Sequence, residues 1–421
     1  MELKKYKLAD IAKIEISGVD KKTIEGETPV RLCNFVDVYY NWAITKDKAK
    51  RFMIASAKQS EINRFSIGKG MVAITKDSET KYDIGVATYI ADNFDNVVLG
   101  YHCALITPNP TIVDGKYLNA FMHTQYIQKY FENNASGSGQ RYTLSNDTIS
   151  NIPVLLPPME VQRTIGKLLA DLDRKIELNR QINDNLEAMA KQLYDYWFVQ
   201  FDFPNEEGKP YKSSGGSMVW NEKLKREIPQ GWHCGTLLDI AEYTNGLACQ
   251  KYRPTDNNKL PVIKIKEMHD GLSADTEWVK ADIPDDVKVF DGDVLFSWSA
   301  SLEVMLWAYG NGGLNQHIFK VTSKNGYPRS FYFYQLIHYV GIFKQMAEAR
   351  KTTMGHITQD HLRQSTIALP PNVDIANKLE EKLCPIFDEI VKNNQEIMAL
   401  TKLRDELLPL LMNGQASVNS D

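Results

Sequence analysis

Two stretches of the chain carry apolar side chains with the alternating four- and three-residue spacing of a heptad repeat. The seam of the first stretch runs through Ile165, Leu169, Leu172, Ile176, Asn179, Asn183, Leu186, Ala190, Leu193 and Trp197. Adding 214 to each number gives the second seam, Leu379, Leu383, Ile386, Ile390, Asn393, Ile397, Leu400, Arg404, Leu407 and Leu411. Sixteen of these twenty positions are apolar, and this sustained period predicts two long helices that pair as a coiled coil. The alternative is that each helix packs only on its own domain.

The segments before the two helices also resemble each other, which indicates an internal duplication. Residues 8–12 match residues 237–241, and residues 148–158 match residues 361–371. A change of offset between the matches indicates insertions within the globular parts. We therefore expect a first domain over residues 1–157, a central helix over 158–203, a linker with a second domain over 204–371, and a C-terminal helix over 372–415.

The globular segments show mixed periodicity, which predicts the α/β fold class. Helical stretches at 116–131 and 330–350 alternate with short β-like runs at 71–74, 97–106, 261–265, 294–297 and 318–321. Residues 202–220 are polar and rich in Gly, Pro and Ser, so we expect a linker there. A Pro-Pro pair precedes each long helix, and Pro385 predicts a kink in the second.

Composition narrows the chemistry that this chain can perform. The formal net charge is −4, and its acidity lies in the helical segments, so DNA binding would depend on local basic patches. Five scattered cysteines without a CxxC pair fit reduced thiols, and with no leader or membrane span expected, we predict a cytoplasmic protein. The sequence holds no Walker loop, HExxH motif or dinucleotide-binding glycine pattern. We therefore expect no bound cofactor or metal, and any catalysis to belong to a partner.

Several motifs resemble those of one family. Residues 156–165, LPPMEVQRTI, resemble a helix entry of the form PP-x-x-EQ-x-x-I, with Val161 in place of the expected Glu, and residues 369–374 hold a degenerate copy. Residues 290–302 and 313–321, with the 229–232 start of the second domain, resemble segments of the same recognition domains. In this layout the chain resembles the specificity subunit of type I restriction-modification enzymes over nearly its whole length.

The resemblance implies two target recognition domains, each followed by a long spacer helix, with the helices paired as an antiparallel coiled coil of pseudo-twofold symmetry. It implies double-stranded DNA, two methyltransferase subunits and two restriction (motor-nuclease) subunits as partners, and a non-catalytic role for this chain. S-adenosylmethionine, ATP and Mg would be used in those partner subunits. Two different domains predict an asymmetric, bipartite target whose gap the helices set. The alternative is a helical scaffold that does not bind DNA.

In the first domain we predict DNA contacts from a basic cluster and from a glycine-serine loop. Cations suit phosphates, whereas Gln, Asn and Arg can also pair with base edges; a solvated charged face is the alternative for any one residue. The predicted contacts are Lys46, Lys48, Lys50, Arg51, Lys58, Gln59, Asn63, Arg64, Ser136, Ser138, Gln140 and Arg141.

In the second domain we predict contacts from a polar turn, from the end of a strand and from a segment that matches the glycine-serine loop in the repeat. Asn315 and His317 flank Gln316 in a run of hydrogen-bonding side chains. For both, the alternative to contact with bases is a buried structural role. The predicted contacts are Gln250, Lys251, Tyr252, Arg253, Trp298, Ser299, Ser301, Gln316, Arg350, Lys351, Thr352 and Thr353.

Overall fold

A computed structural model describes residues 3–137, 139–299, 301–349 and 357–417, with side chains except at 346–349. The chain divides into two compact units, and both boundaries fall inside the long helices, between Glu177 and Leu178 and between Ala399 and Leu400. The first unit therefore contains the start of the first long helix and the end of the second. The second unit contains everything between these boundaries.

The first unit begins at the N-terminus and runs into the first long helix. Its elements are β1 (Lys4–Lys7), α1 (Leu8–Ile11), β2 (Ala12–Ile16), β3 (Thr28–Cys33), α2 (Phe35–Tyr39), β4 (Ala43–Ile44), α3 (Lys46–Ala49), β5 (Met53–Ala57), α4 (Gln59–Phe65), β6 (Val72–Thr75), β7 (Asp77–Ser78), β8 (Ala87–Ile90), β9 (Val97–Leu99), β10 (Cys103–Pro108), α5 (Gly115–Met122), α6 (Gln125–Asn134), β11 (Ser136–Gly137), β12 (Tyr142–Thr143), α7 (Asn146–Ser150), β13 (Pro153–Leu156) and α8 (Met159–Tyr194).

The second unit begins inside α8, which ends in a five-residue π-helical turn, Asp195–Val199. Its elements are β14 (Met218–Asn221), β15 (Arg226–Pro229), β16 (His233–Thr236), α9 (Leu237–Ile240), β17 (Ala241–Asn245), β18 (Lys259–Ile263), α10 (Ile265–Asp270), β19 (Trp278–Lys280), β20 (Lys288–Val289), β21 (Val294–Ser297), β22 (Glu303–Leu306), β23 (Gly312–Leu314), β24 (Ile318–Ser323), α11 (Arg329–Ala349), α12 (Gln359–Gln364), β25 (Thr366–Leu369) and α13 (Asp374–Met412), with 3-10 turns at Cys249–Lys251 and Asp285–Val287.

The two units share one topology. The first has a sheet of order β2-β10-β6-β8-β4 and the second a sheet of order β17-β24-β21-β22. A second sheet joins β5-β3-β9 in the first unit and β19-β18-β23-β20 in the other. The last strand before each long helix pairs antiparallel with an early strand of its unit, β13 with β1 and β25 with β16. The mixed α/β class and the duplication are therefore confirmed. Predicted strands at 71–74, 294–297 and 318–321 lie within one or two residues of β6, β21 and β24.

Each central strand is buried on both faces, as its sequence requires. The four residues of β6, VAIT, and the four of β21, VLFS, are all buried. Small, apolar and β-branched side chains with few polar atoms suit a strand covered on both sides. All five cysteines are free thiols, and burial raises the pKa of Cys33, Cys103 and Cys249, which disfavours their reactive thiolate forms.

The long helices pair antiparallel within each unit, as predicted. In the second unit the side-chain amide of Asn179 donates to Glu396 at 2.7 Å, and the amide of Asn183 donates to Asn394 at 2.8 Å. In the first unit Arg404 lies 3.7 Å from Asp173. Residue numbers thus rise along α8 as they fall along α13, which is the signature of antiparallel packing.

The predicted seam is covered along both helices. Its buried members are Ile165, Leu169, Ile176, Asn179, Asn183, Ala190, Trp197, Leu379, Leu383, Ile390, Asn393 and Leu411, and its half-buried members are Leu172, Leu186, Leu193, Ile386, Ile397, Leu400, Arg404 and Leu407. The alternative that each helix packs only on its own domain does not hold, but the helices also pack on the globular part, because Ile165 and Leu169 belong to the first unit's core together with Leu408.

Asn179 and Asn393, which match in the repeat, have different partners: antiparallel packing places Asn179 beside Glu396, and Asn393 donates to Asn183 at 2.9 Å. Pro385 lies inside α13, which continues to Met412, and the kink predicted there stays a prediction. The predicted linker packs against the second unit, since Phe203 is buried and stacks on Trp232.

Side chains of α8 and α13 fix each helix to its own domain. Gln162 is 2 % exposed; it accepts from Asp114 N–H and donates to the carbonyls of Ile112 and Pro157 at 2.9–3.1 Å. The Asp114 carboxylate caps α5, and a Cβ at Gly166 would stand 2.9 Å from that carboxylate. In the second unit Glu380, 214 residues after Gly166, accepts from Ser330 N–H at 2.8 Å at the start of α11.

An aromatic stack lies beside the end of α13 in the first unit. The rings of Trp42 and His123 are 4.3 Å apart, and the Arg404 guanidinium lies 4.7 Å from the Trp42 ring. Burial, helped by the Arg404 cation, lowers the pKa of His123 to about 4 from an ordinary 6.5, although its Nε2 is bonded to the Ala87 carbonyl. His123 is therefore neutral in the folded protein at pH 7.

Among the described residues, the structure contains no helix that is both long enough and apolar enough to span a membrane.

Candidate nucleic-acid interface

The basic cluster of the first unit lies on α3 and the residues that follow it. Lys46, Lys50 and Arg51 are exposed, and Lys50 is paired with Asp47 at 2.7 Å. Lys48 differs from them: its ammonium is 3.1 Å from Glu177 of α8 and donates to the Ala43 carbonyl. Lys46, Lys50 and Arg51 therefore present cations to solvent, whereas Lys48 is oriented toward the helix.

The second part of this cluster is the short helix α4. Lys58 and Asn63 are exposed, and the Gln59 amide donates to Asn63 at 2.9 Å. The exposed Arg64 guanidinium is 3.2 Å from Glu15 and lies over the Phe65 ring. These side chains remain predicted contacts, held in place by weak surface interactions that a phosphate could replace.

The glycine-serine loop joins β11 to β12, and its exposed residues include Ser136, Gln140 and Arg141. After the loop, Leu144 N–H donates to the Lys76 carbonyl at 2.7 Å, directly after β6. In the second unit Ile357 N–H donates to the Trp298 carbonyl at 3.1 Å, directly after β21. Leu144 and Ile357 are therefore held at equivalent places in the two copies, and the match between the loops that precede them stays a prediction.

Five predicted contacts lie outside the described residues and stay predictions. They are Ser138, Arg350, Lys351, Thr352 and Thr353.

An open groove of about 400 Å³ lies beside Arg141 at the edge of the first unit's main sheet. Besides Arg141, its wall is formed by Phe35, Val36, Tyr39, Tyr40, Asp77, Ser78, Glu79, Thr80, Asp83 and His102. Tyr40 is 75 % exposed, and the Tyr39 hydroxyl donates to Asp83 at 2.9 Å. The groove thus combines aromatic faces with several hydrogen-bond acceptors.

His102 is held in this groove by Asp77. Its Nδ1 lies 2.5 Å from Asp77 Oδ2, and Lys76 Nζ lies 2.8 Å from the same oxygen. Burial acts to raise the pKa of Asp77, but the hydrogen bonds from Lys76, Thr143 and His102 outweigh it and lower that pKa. Asp77 is therefore a carboxylate at neutral pH, and it accepts a hydrogen bond from the imidazole Nδ1.

The polar turn of the second unit carries aromatic and basic side chains together. Gln250, Lys251 and Arg253 are exposed and Tyr252 is half-buried, with the Lys280 ammonium 5.6 Å from the Tyr252 ring. Close by in the same sheet, the Lys259 ammonium lies 4.5 Å from the ring of Trp278, which is 44 % exposed. Such a surface offers both cations for phosphates and rings for stacking.

The remaining predicted contacts of the second unit meet at one edge of its main sheet. Trp298 donates from Nε1 to Asn245 at 3.1 Å, and Ser299 Oγ lies 3.5 Å from His317 Nδ1. Gln316 is half-buried, with its amide nitrogen 3.4 Å from His317 Nε2.

Two further residues at this edge accept structural hydrogen bonds, Ser301 through its backbone carbonyl and Asn315 through its side chain. The Ser301 carbonyl accepts from the Ser297 hydroxyl. Asn315 is 9 % exposed and accepts from His317 N–H, so the structural alternative describes Asn315. It does not describe His317, whose ring is exposed.

Sequence reasoning did not identify His102, Asp77 or the two groove tyrosines. The signal for His102 was available, because His317 follows it by 215 residues, close to the offsets of the other repeat matches. Asp77 and Tyr39 had no such signal, since they come from separate segments that only the fold brings together. In the described part of the chain, no cluster of His, Cys, Asp and Glu has the composition of a metal site.

A family model described as the type I restriction modification DNA specificity domain matches residues 1–188 and 229–402. The MjaIX specificity subunit of Methanocaldococcus jannaschii is 26 % identical over 324 residues, covering 74 % of this chain and 71 % of that protein. The HindI specificity subunit of Haemophilus influenzae is 25 % identical over 403 residues, covering 80 % and 85 %. A crystal structure of the S subunit of a type I restriction-modification system from M. genitalium shares the fold, with a TM-score of 0.59, 13 % identity and coverage of 100 % and 97 %.

Proposed function

We propose, because the chain belongs to the family of type I restriction-modification DNA specificity proteins, that its two units read the two halves of one asymmetric, bipartite DNA target. The observation that carries this proposal is the duplicated sheet with unlike side chains at equivalent edges. Lys76 and Asp77 follow β6, whereas Trp298 and Ser299 follow β21. Unlike hydrogen-bonding groups at one place in the fold would select unlike bases.

The long helices support the expected gap between the half-sites. α8 has 36 residues and α13 has 39, which at 1.5 Å per residue corresponds to roughly 55 Å. Major-groove faces recur about every 34–36 Å along one side of DNA, so helices of this length suit half-sites separated by unread base pairs.

The partners that we propose are two methyltransferase subunits and two restriction subunits, acting with DNA in the cytoplasm. The methyltransferase subunits would bind S-adenosylmethionine, and the restriction subunits would use ATP and Mg. An exposed apolar stripe along α8 and the π-helical turn that follows it supports a helical partner surface. It comprises Leu178, Ile182, Met189, Tyr196 and Val199, which are 36–59 % exposed and lie beside the seam that α13 covers.

A matched pair of substitutions tests this surface. Met189→Glu places a charge within the stripe, whereas Ala188→Glu adds the same charge at a neighbouring exposed position off the stripe. We expect Met189→Glu to reduce co-purification of the methyltransferase subunit at least tenfold and Ala188→Glu to leave it unchanged. Equal retention by both variants would remove the stripe from the proposal.

Mapping methylated bases in the host genome, with and without this gene, tests the function itself. We expect one gapped, asymmetric motif to lose methylation when the gene is deleted and to regain it on complementation. A palindromic motif would contradict the two unlike units. Unchanged methylation would favour the scaffold alternative.

A further inference from the structure

Two histidines occupy the same position in the two copies of the main sheet. His102 directly precedes β10 and His317 directly precedes β24. The strand registers agree, because Cys103 lies opposite Thr75 in the first unit and Ile318 lies opposite Ser297 in the second. With only eight histidines in 421 residues, a match by chance is uncommon, so the position itself favours an imidazole.

Each imidazole is held at Nδ1 by the side chain two residues beyond the neighbouring central strand. In the first unit this side chain is Asp77, two residues after the end of β6, at 2.5 Å. In the second unit it is Ser299, two residues after the end of β21, at 3.5 Å. The duplication therefore preserves the imidazole and its support from the same loop position, while the supporting group changes from a carboxylate to a hydroxyl.

The Nε2 edge of each ring is directed away from this support. Within the described part of the chain, Nε2 of His102 has no hydrogen-bond partner, and its side chain is 27 % exposed at the groove. Nε2 of His317 has only the Gln316 amide at 3.4 Å. His102 also adopts a positive φ of 68°, a strained conformation for a residue with a side chain.

The groove around His102 suits a base better than a phosphate. Asp77, Glu79 and Asp83 lie in its wall, and three carboxylates would repel a phosphate. Acceptor groups of this kind recognise the exocyclic amino groups that cytosine and adenine present in the major groove. Exposed tyrosine rings beside the carboxylates add apolar contact.

We propose that His102 and His317 are specificity-determining residues, each of which places its Nε2 edge against a base edge in the half-site read by its own unit. This inference rests on the proposed function. Because Nδ1–H of His102 donates to the Asp77 carboxylate, the neutral form of the imidazole has its lone pair on Nε2, which accepts from an adenine or cytosine amino group. The Ser299 hydroxyl can donate or accept, so His317 carries no such restriction.

The test uses the full chain assembled with the methyltransferase subunits of its own system. The complex is incubated with a library of double-stranded DNA in which every position of the mapped motif is randomised, and the methylated fraction is sequenced. The variants are His102→Ala, His317→Ala and Asp77→Asn, with His338→Ala, an exposed histidine on α11, as the control.

We expect His102→Ala to weaken discrimination about tenfold or more at one or two base pairs of one half-site and to leave the other half-site intact. His317→Ala should do the same in the opposite half-site. Asp77→Asn should alter preference at the base pair that His102→Ala affects, because it changes which ring nitrogen of His102 carries the proton. A purely structural role of His102 would not produce this effect. His338→Ala should change nothing.

The other outcomes separate this inference from the proposed function. If wild-type complex selects no motif, the proposed function fails. If wild-type complex selects a motif but both histidine variants select it with unchanged preferences, the inference fails alone. If a histidine variant instead loses DNA binding equally for all sequences, and its binding depends less steeply on salt, that histidine contacts phosphate. This result would also overturn the inference. If the His102→Ala chain does not assemble with the methyltransferase subunits, His102→Gln replaces it, because glutamine retains polar atoms at this edge. The same sequence preferences are then measured.

Discussion

Replacing Asn183 by alanine should destabilise the second unit more than replacing Asn183 and Asn393 together by leucine. Asn183 is 6 % exposed within the helix pair. Its amide nitrogen donates to Asn394 at 2.8 Å, and its oxygen accepts from Asn393 at 2.9 Å. Alanine at 183 removes both bonds at once and leaves a donor and an acceptor without these partners between two helices.

The size of the effect follows from burial. A buried polar group without its partner costs about 1–3 kcal/mol. Most of this destabilisation comes from the Asn393 amide, because Asn393 is only 5 % exposed. The oxygen of the half-buried Asn394 can instead bond to water. We expect a total of about 2–4 kcal/mol, which for a unit of this size lowers Tm by roughly 5–10 °C. Two leucines instead meet as apolar seam residues, so the double variant should be near neutral or stabilised.

Thermal unfolding followed by tryptophan fluorescence measures this difference in the full chain. Of the seven tryptophans only Trp42 lies in the first unit, so fluorescence reports chiefly on the second. Unfolding of two units need not be a single transition, and far-UV circular dichroism identifies the first unit's contribution. A fall in Tm below about 2 °C for Asn183→Ala would refute the argument, as would a double-leucine variant at least as damaged as the alanine variant.

Three other outcomes follow from contacts in the two units. Between pH 6.5 and 4, His123 is protonated in the unfolded chain but not in the folded first unit, where its pKa is about 4, so the free energy of unfolding should fall by up to about 3 kcal/mol as the pH is lowered. Urea unfolding across this pH range should show this fall, and His123→Gln should remove the contribution of His123. Gln162→Ala should cost the first unit about 2–4 kcal/mol, measured by urea unfolding against Glu160→Ala, and an equal cost for both would contradict the role of Gln162. Glu380→Ala should cost the second unit about 1 kcal/mol and speed hydrogen exchange at Ser330 N–H, and unchanged exchange would count against that cap.

Features with a local period could be predicted from the sequence. The seam from Ile165 to Leu407 was predicted because a heptad pattern records, residue by residue, which face of a helix is covered. The central strands were predicted because a short, mostly apolar run, such as the Val-Leu-Phe at the start of β21, suits a strand buried on both faces. Antiparallel pairing came from the family resemblance, since the pattern alone fits either direction.

Features assembled from separate segments could not be predicted in this way. The segment 202–220 is rich in turn-forming residues, yet Phe203 stacks on Trp232 and becomes part of the core. Its burial depends on a partner almost thirty residues away. The groove around His102 likewise combines a helix, two loops and a hairpin. A cluster of lysines is visible in sequence, but its pairing is not, and Lys48 contacts Glu177 through the fold.

The divergence between the two copies follows different rules in the framework and at the sheet edge. In the first copy Asp114 caps α5, and Gly166 leaves room for its carboxylate. In the second copy Pro328 replaces that cap, and Glu380, at the position that matches Gly166, accepts from the N-terminus of α11 instead. Framework changes are thus compensated, because an uncapped helix start would cost stability. The change from Asp77 to Ser299 beside an unchanged histidine restores no lost bond of the same strength, so it alters what the edge can recognise rather than how the unit is held together.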